Sequence, residues 1–143
     1  PEGDFVDKEG NYIGRHKGII HYTIGQRRGL GIPAASRLYV CEISPKTNTV
    51  VLGDNADLFS SELEADSVNL ISVDSLTEPK RVTAKIRYRH KEQPATAWQT
   101  PDGILHVKFD EPQRAITKGQ AVVMYDGDVV VGGGVINKIY SQS

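Results

Sequence analysis

No stretch of this 143-residue chain sustains the 3.6-residue apolar period of a helix. Short runs of alternating apolar and polar residues take its place, punctuated by Gly, Pro, Asn and Asp. That pattern restricts the chain to short strands joined by tight turns, hence to a sandwich or a barrel. The clearest run is Arg81 to Tyr88. It puts Val82, Ala84, Ile86 and Tyr88 on one face and Arg81, Thr83, Lys85 and Arg87 on the other. Phe5-Val6 and Tyr12-Ile13 flank Lys8-Glu9-Gly10-Asn11 as a small hairpin. Leu38 to Ile43 and Thr49 to Gly53 pair across a Ser44–Asn48 turn. In a regular strand Leu38, Val40 and Glu42 share one face there, and Tyr39, Cys41 and Ile43 the other.

The polar stretch Asp54 to Ser61 breaks the pattern and sets a domain boundary near Ser61, giving domains 1–61 and 62–143. Glu62 to Val73 opens the second, with Leu63, Ala65, Val68, Leu70 and Ile71 as apolar positions. Further strands follow at Ala95–Gln99 and Ile104–Phe109, around Pro101-Asp102-Gly103. Gln120–Tyr125 and Val129–Val131 pair around Asp126-Gly127-Asp128. Gly132-Gly133-Gly134 bends the chain before Val135-Ile136, and Pro112 to Gly119 is a connection. Lys17 to Ile24 allows one short helical turn, and Pro33-Ala34-Ala35-Ser36 is a loop. The fold class expected is all-β, two small β-barrel-like domains in tandem, with at most a short helix in the first.

No apolar run is long enough for a membrane-spanning helix, and no signal peptide opens the chain. It begins Pro1-Glu2-Gly3 without an initiator Met, as a piece of a longer protein would. The single Cys41 allows no internal disulfide, which fits a reducing cytoplasm. On a strand, with no base or cation beside it in sequence, Cys41 reads as a small packed hydrophobe. No metal site is expected: the histidines at 16, 21, 90 and 106 are scattered and the cysteine has no partner.

Charge is where the chain becomes specific. Its net charge is only −1, yet no Asp or Glu occurs between Gly10 and Cys41. Arg15, Lys17, Arg27, Arg28 and Arg37 fall in that window, with His16 and His21. Such a local field attracts polyanions. Tyr22, Thr23 and Gln26 add neutral hydrogen-bonding groups suited to phosphate, sugar or base edges. A solvated basic loop whose glycines only serve turns fits the composition equally well. His16 and His21 could in principle serve as acid and base, but no paired carboxylate or nucleophile accompanies them, so they read as an RNA-facing or packed pair inside a basic loop. Gly25-Gln26-Arg27-Arg28-Gly29 lacks the spacing of a nucleotide phosphate loop.

The order of residues moves the balance between these readings. Gly14-Arg15-His16-Lys17-Gly18-Ile19-Ile20-His21-Tyr22-Thr23-Ile24-Gly25-Gln26-Arg27-Arg28-Gly29-Leu30-Gly31 resembles the signature of the bacterial tRNA-specific 2-thiouridylases. Ala84-Lys85-Ile86-Arg87-Tyr88-Arg89-His90 supports the match. So does Pro112 to Tyr125 followed by Gly132-Gly133-Gly134. The resemblance implies an enzyme that adenylates the wobble uridine of tRNA with ATP and then replaces the C2 oxygen with a persulfide sulfur. It places that chemistry in an N-terminal domain with a phosphate loop and two cysteines, absent from this sequence. The family's catalytic cysteines precede the signature, so no catalytic role passes to Cys41. The chain therefore resembles the central β-rich domain and the C-terminal barrel, the latter similar to a translation-factor barrel.

The parent is then expected to be a cytoplasmic sulfurtransferase using ATP and a persulfide donor. Its expected partners are tRNA, its own N-terminal catalytic domain and a sulfur-relay protein, and no membrane. The chain by itself needs no cofactor and is expected to be inactive. The resemblance places tRNA contacts at Arg87, Tyr88 and Gln120. In the first domain the expected contacts are Arg15, His16, Lys17, Gln26, Arg27 and Arg28, unless that loop packs on the catalytic domain instead. Alternation sends Arg87 and Tyr88 to opposite faces, so both reach RNA only near a strand end or bulge. Tyr88 as a core aromatic and Gln120 as a plain turn residue remain the competing readings.

Overall fold

The computed structural model describes residues 1–33 and 37–141; Ala34, Ala35 and Ser36 of the expected loop lie outside the described residues. The chain is all-β and divides into two compact units, Pro1–Phe59 and Ser60–Ser143.

In the first unit β1 (Gly3–Val6) and β2 (Tyr12–His16) form the expected N-terminal hairpin. Asp7 holds its turn by accepting from the Asn11 amide at 2.8 Å and the Glu9 amide at 3.0 Å. β3 (Tyr39–Ser44) and β4 (Thr49–Gly53) make a second antiparallel pair. The hairpins join where β1 runs parallel to β4, giving the order β2-β1-β4-β3. Phe5, Val40, Val50 and Leu52 fill the core with Tyr22 and Leu30 from the long basic loop. A one-residue slip between Val40 and Glu42 corrects the regular alternation expected in β3. Cys41 is the extra residue, so Val40 and Ile43 both pack on the core although their spacing puts them on opposite faces. Short 3-10 turns occur at Ile19–His21, inside the helical turn expected for Lys17 to Ile24, and at Asn55–Leu58.

The second unit is a closed barrel in the order β10-β5-β8-β7-β6-β9. Its strands are β5 (Phe59–Leu70), β6 (Lys80–Lys85), β7 (Gln93–Gln99), β8 (Leu105–Arg114), β9 (Ala121–Asp126) and β10 (Val129–Ile139). Alternate residues point inward: Val82 and Ala84, Ala95 and Ala97, Leu105, Val107 and Phe109, Val122 and Met124. β5 changes phase at Ser67, whose φ is 50°. Leu63 and Ala65 are therefore inside, and so in part are Val68 and Leu70, while Ile71 is exposed rather than apolar core. β8 runs on through Pro112, where a connection was expected. β7 pairs with β8 only as far as Phe109, so the proline's missing N–H costs no bond to β7.

The last strand is fastened to the first of the unit. Tyr140 donates its phenolic O–H to Glu64, and Lys138 Nζ lies 4.8 Å over the Tyr140 ring and 3.8 Å from Glu64 Oε2. The Glu64 hydrogen bond, with burial second, pushes the Tyr140 phenol up from 10.0 to about 12. Because the folded value lies above the unfolded one, this contribution is whole below pH 10.0 and is lost as pH rises through about 12. Tyrosinate absorbance is expected to show a phenol titrating at about 12. Glu64→Gln is expected to return that phenol toward 10.0; an unchanged late titration would assign the shift elsewhere.

Candidate nucleic-acid interface

Each unit carries one cationic surface. In the first, the basic loop is built on an aromatic cluster beneath it. Phe5, His16 and Tyr22 meet edge to face, with centroids 5.2–5.8 Å apart. His16 is 1% exposed. Its Nδ1 accepts from the Gly18 amide at 2.9 Å, so Nε2 carries the proton and donates to the Asn48 carbonyl at 2.8 Å. Both ring nitrogens are committed inside the unit. His16, expected among the RNA contacts, is thus an internal strut, and it forms no acid–base pair with the exposed His21. Gly3 leaves room for the ring: a Cβ there would stand 2.6 Å from His16 Nε2.

The tip of the loop is pinned to β3. Gly25 N–H donates to the Val40 carbonyl at 2.7 Å, and Val40 N–H to that of Gln26 at 2.8 Å. The Gln26 side chain accepts from the Thr23 amide at 3.0 Å and donates to the Arg28 carbonyl at 2.9 Å, so it shapes the turn. Arg27 lies over the Tyr39 ring at 5.8 Å and remains exposed, as do Arg28 and Lys17. Arg15 differs. It pairs with Asp4 at 2.8 Å, a counter-ion from the facing strand rather than from the acid-free window. Among the described residues Lys17, Arg27 and Arg28 make no ion pair.

In the second unit β6 ends at Lys85, before the alternation in the sequence does. Arg87 and Tyr88 consequently sit in a turn, and the opposite-face difficulty disappears. Tyr88 is 87% exposed, which removes the core reading. Arg87 does not face outward with it. Its guanidinium donates to the Arg114 carbonyl at 3.0 Å and to that of Ala115. Burial, and then the neighbouring Arg114 charge, lower the Arg87 pKa from its ordinary value. Gln120 is exposed; its backbone O accepts from the Ile136 amide at 2.9 Å, holding the turn to β10.

Beside Arg87 opens a cleft of about 450 Å³ lined by Arg89, His90, Lys91, Gln113 and Arg114 as well. The sequence places Arg89, His90, Gln113 and Arg114 in the stretches that resemble the family, but neither they nor Lys91 are among the contacts expected from it, although a signal is present. Pro79 to Lys91 is a second acid-free run, holding Lys80, Arg81, Lys85, Arg87, Arg89 and Lys91. Among the described residues no group of acids, histidines and cysteine could hold a metal, and no helix is long and apolar enough to cross a membrane. Cys41 contacts the Tyr39 carbonyl through its thiol at 3.5 Å, in a half-buried position.

Two domain models match the chain. Residues 1–54 match the tRNA methyl transferase PRC-barrel domain, and residues 60–136 the aminomethyltransferase β-barrel domain. Curated relatives make the assignment narrower. The chain is 60% identical over 137 residues to the tRNA-specific 2-thiouridylase MnmA of Clostridioides difficile, covering 96% of this chain and 38% of that protein. It is 57% identical over 134 residues to the enzyme of that name from Acetivibrio thermocellus, covering 94% of this chain and 37% of the relative. With the protein of that name from Clostridium acetobutylicum it shares 54% identity, again over 94% of this chain and 38% of the relative. The chain belongs to the tRNA-specific 2-thiouridylase family, of which it holds the central and C-terminal domains. It spans a little over a third of the length of those relatives.

Proposed function

We propose that this chain is the tRNA-binding portion of a tRNA-specific 2-thiouridylase. The parent carries out ATP-dependent 2-thiolation of the wobble uridine, and this portion positions the tRNA. Relatives named tRNA-specific 2-thiouridylases, which match nearly the whole chain at 54–60% identity, support tRNA 2-thiolation over tRNA methyl transfer, and the signature's resemblance adds the wobble position and ATP. ATP, the persulfide donor and any sulfur-relay protein belong with the catalytic domain, and the chain alone transfers no sulfur. The cytoplasm is where such an enzyme meets its substrate.

The observation that carries the reading is the exposed Arg27-Arg28 pair, held at a loop tip by Gln26 and Tyr39 and, among the described residues, without a carboxylate partner. Lys17 and, on the second unit, Tyr88 and Gln120 are the other proposed contacts, with Arg15 adding charge beside Asp4. Replacing Arg27 and Arg28 with Ala is expected to weaken tRNA binding while the fold survives. Every phosphate the variant no longer neutralises lowers the slope of log K against log salt by roughly 0.7–0.9. One feature favours a second reading, in which the loop docks on the catalytic domain: Ile20, on the same loop, is 88% exposed. An unchanged salt slope, with weakened association of the catalytic domain, would decide for docking.

A further inference from the structure

Antiparallel pairing sorts the connections of the barrel onto two ends. Those from β6 to β7 and from β8 to β9 share one end, with Arg87, Arg89, Lys91 and Lys118 against the single acid Glu92. Those from β5 to β6, β7 to β8 and β9 to β10 share the other. They hold Asp74, Glu78, Asp102 and Asp128 and no Lys or Arg, and Asp126 closes β9 beside them. All five carboxylates are exposed. Asp126 is answered by Lys80, the first residue of β6, at 3.0 Å. Asp102 is taken up in its own turn, accepting from Thr100 Oγ1 and the Ile104 amide. Asp74, Glu78 and Asp128 make no ion pair among the described residues. Cations brought from outside would relieve that one-signed field.

Two large aliphatic side chains stand exposed at the same acidic end, Ile71 and Val129. Their backbones are fixed. The Ile71 and Ser72 amides both donate to the Val131 carbonyl, at 2.8 and 3.4 Å, so the connection after β5 starts alongside β10, two residues from Val129. Further along it Leu76 is buried in the barrel core, and its carbonyl accepts from the Gln99 amide at 2.8 Å. Val129 itself pairs with Asp126 across the hairpin. Side chains presented on a fixed backbone carry little ordering cost when a partner covers them. An apolar centre inside a polar rim is the arrangement of a protein contact surface. Nucleic acid is the wrong occupant, because the rim repels its phosphates.

We propose that this end of the barrel docks a protein whose contact surface presents lysines or arginines around an apolar side chain. Ile71 and Val129 are the anchors, and Asp74, Glu78 and Asp128 form the rim. The carboxylates set the sign of the partner and speed its encounter, and the aliphatic pair holds it. Two anchors make a small, transient interface rather than a permanent one. The docking end is independent of whether the basic surfaces hold RNA.

The test titrates short synthetic peptides into the labelled chain and reads the Ile71 and Val129 methyl signals. A peptide alternating Lys with Leu is expected to shift both. One alternating Lys with Ser, and one alternating Glu with Leu, are expected to shift neither. Ile20, exposed on the cation-rich loop of the first unit, is the control within the molecule and is expected to stay in place. Affinities come from the anisotropy of a labelled Lys–Leu peptide, with folding checked by amide chemical-shift dispersion. Ile71→Ser with Val129→Thr is expected to weaken binding by about tenfold or more, as loss of central anchors does. Asp74→Asn, Glu78→Gln and Asp128→Asn together are expected to weaken it by about tenfold at low salt, a difference that closes as salt rises.

Ile20 moving as far as Ile71 would show a peptide that coats any exposed aliphatic side chain, and the proposal would fall. Wild-type affinity in the folded carboxylate variant would remove the charge argument, and wild-type affinity in the Ile71/Val129 variant would remove the anchors. Methyl shifts that grow with chain concentration alone would give this end to a second copy. Shifts on adding tRNA alone would give it to RNA. Methyls already displaced in the parent enzyme, which then ignores the peptide, would give it to the catalytic domain. Each of these three overturns docking of a separate cationic protein.

Discussion

Gly133→Ala is expected to destabilise the barrel by at least about 3 kcal/mol, a large part of what a small domain has. A Cβ at Gly133 would stand 2.2 Å from the Val122 carbonyl oxygen and 3.3 Å from Val123 Cα. Both neighbours are backbone in the β9–β10 ladder, where Gly133 faces Val123 and Gly134 faces Val122. They cannot turn aside as a long side chain would, so the strands must separate. Trp98, the single tryptophan, lies on β7 and reports barrel unfolding in urea by its fluorescence. Gly103→Ala is the comparison: its φ of 87° strains an alanine, but nothing lies within 4 Å of the new Cβ. A Gly133→Ala midpoint no lower than that of Gly103→Ala would show that close approach does not govern this seam.

Phe5→Ala is expected to cost the first unit about 3–5 kcal/mol. Phe5 is fully buried, and it backs both His16 and Tyr22. Tyr22 in turn accepts the Lys17 amide at 3.0 Å, and His16 accepts that of Gly18. The cavity therefore opens under the root of the basic loop. Beyond the loss of stability, hydrogen exchange at the Lys17 and Gly18 amides is expected to accelerate, while amides of the barrel core keep their protection. Unchanged exchange at those two positions would show that the loop stands without its aromatic footing.

The class of fold was legible in the sequence because alternation is local. Val82 and Ala84 face inward as their spacing says, and the Asp126–Asp128 turn joins β9 to β10 as its residues say. Alternation failed where one extra residue entered a strand. At Cys41 and at Ser67 the phase shifts, and a period-2 reading carried past either point assigns the wrong face. Strand ends were equally hidden: the pattern runs to Tyr88, but pairing with β7 and β9 stops at Ala84 and Lys85.

The candidate site shows the same limit. Composition marked the charged loop, and residue order marked the family. Neither reveals a partner supplied by a distant segment. Arg15 finds Asp4 through strand pairing, His16 finds Asn48, and Arg87 finds two carbonyls at the far end of β8. A positive charge in sequence therefore says little about which guanidinium still has a free face in the folded chain.

Barrel closure also sets an order of events in time. β10 pairs with β5 from Leu70 back to Leu63, so the last strand made completes the first strand of its unit. A nascent chain must hold β5 half-paired until Ile139 has been synthesised, and loop-closure entropy opposes that contact until then. Local hairpins such as β6–β7 and β9–β10 can form during the wait, which makes the final zippering the slow step. The waiting strand carries Glu62, Glu64 and Asp66 between its inward-facing residues. Those acids repel a second copy of the same edge, giving the unfinished barrel protection from pairing with its neighbours on a polysome.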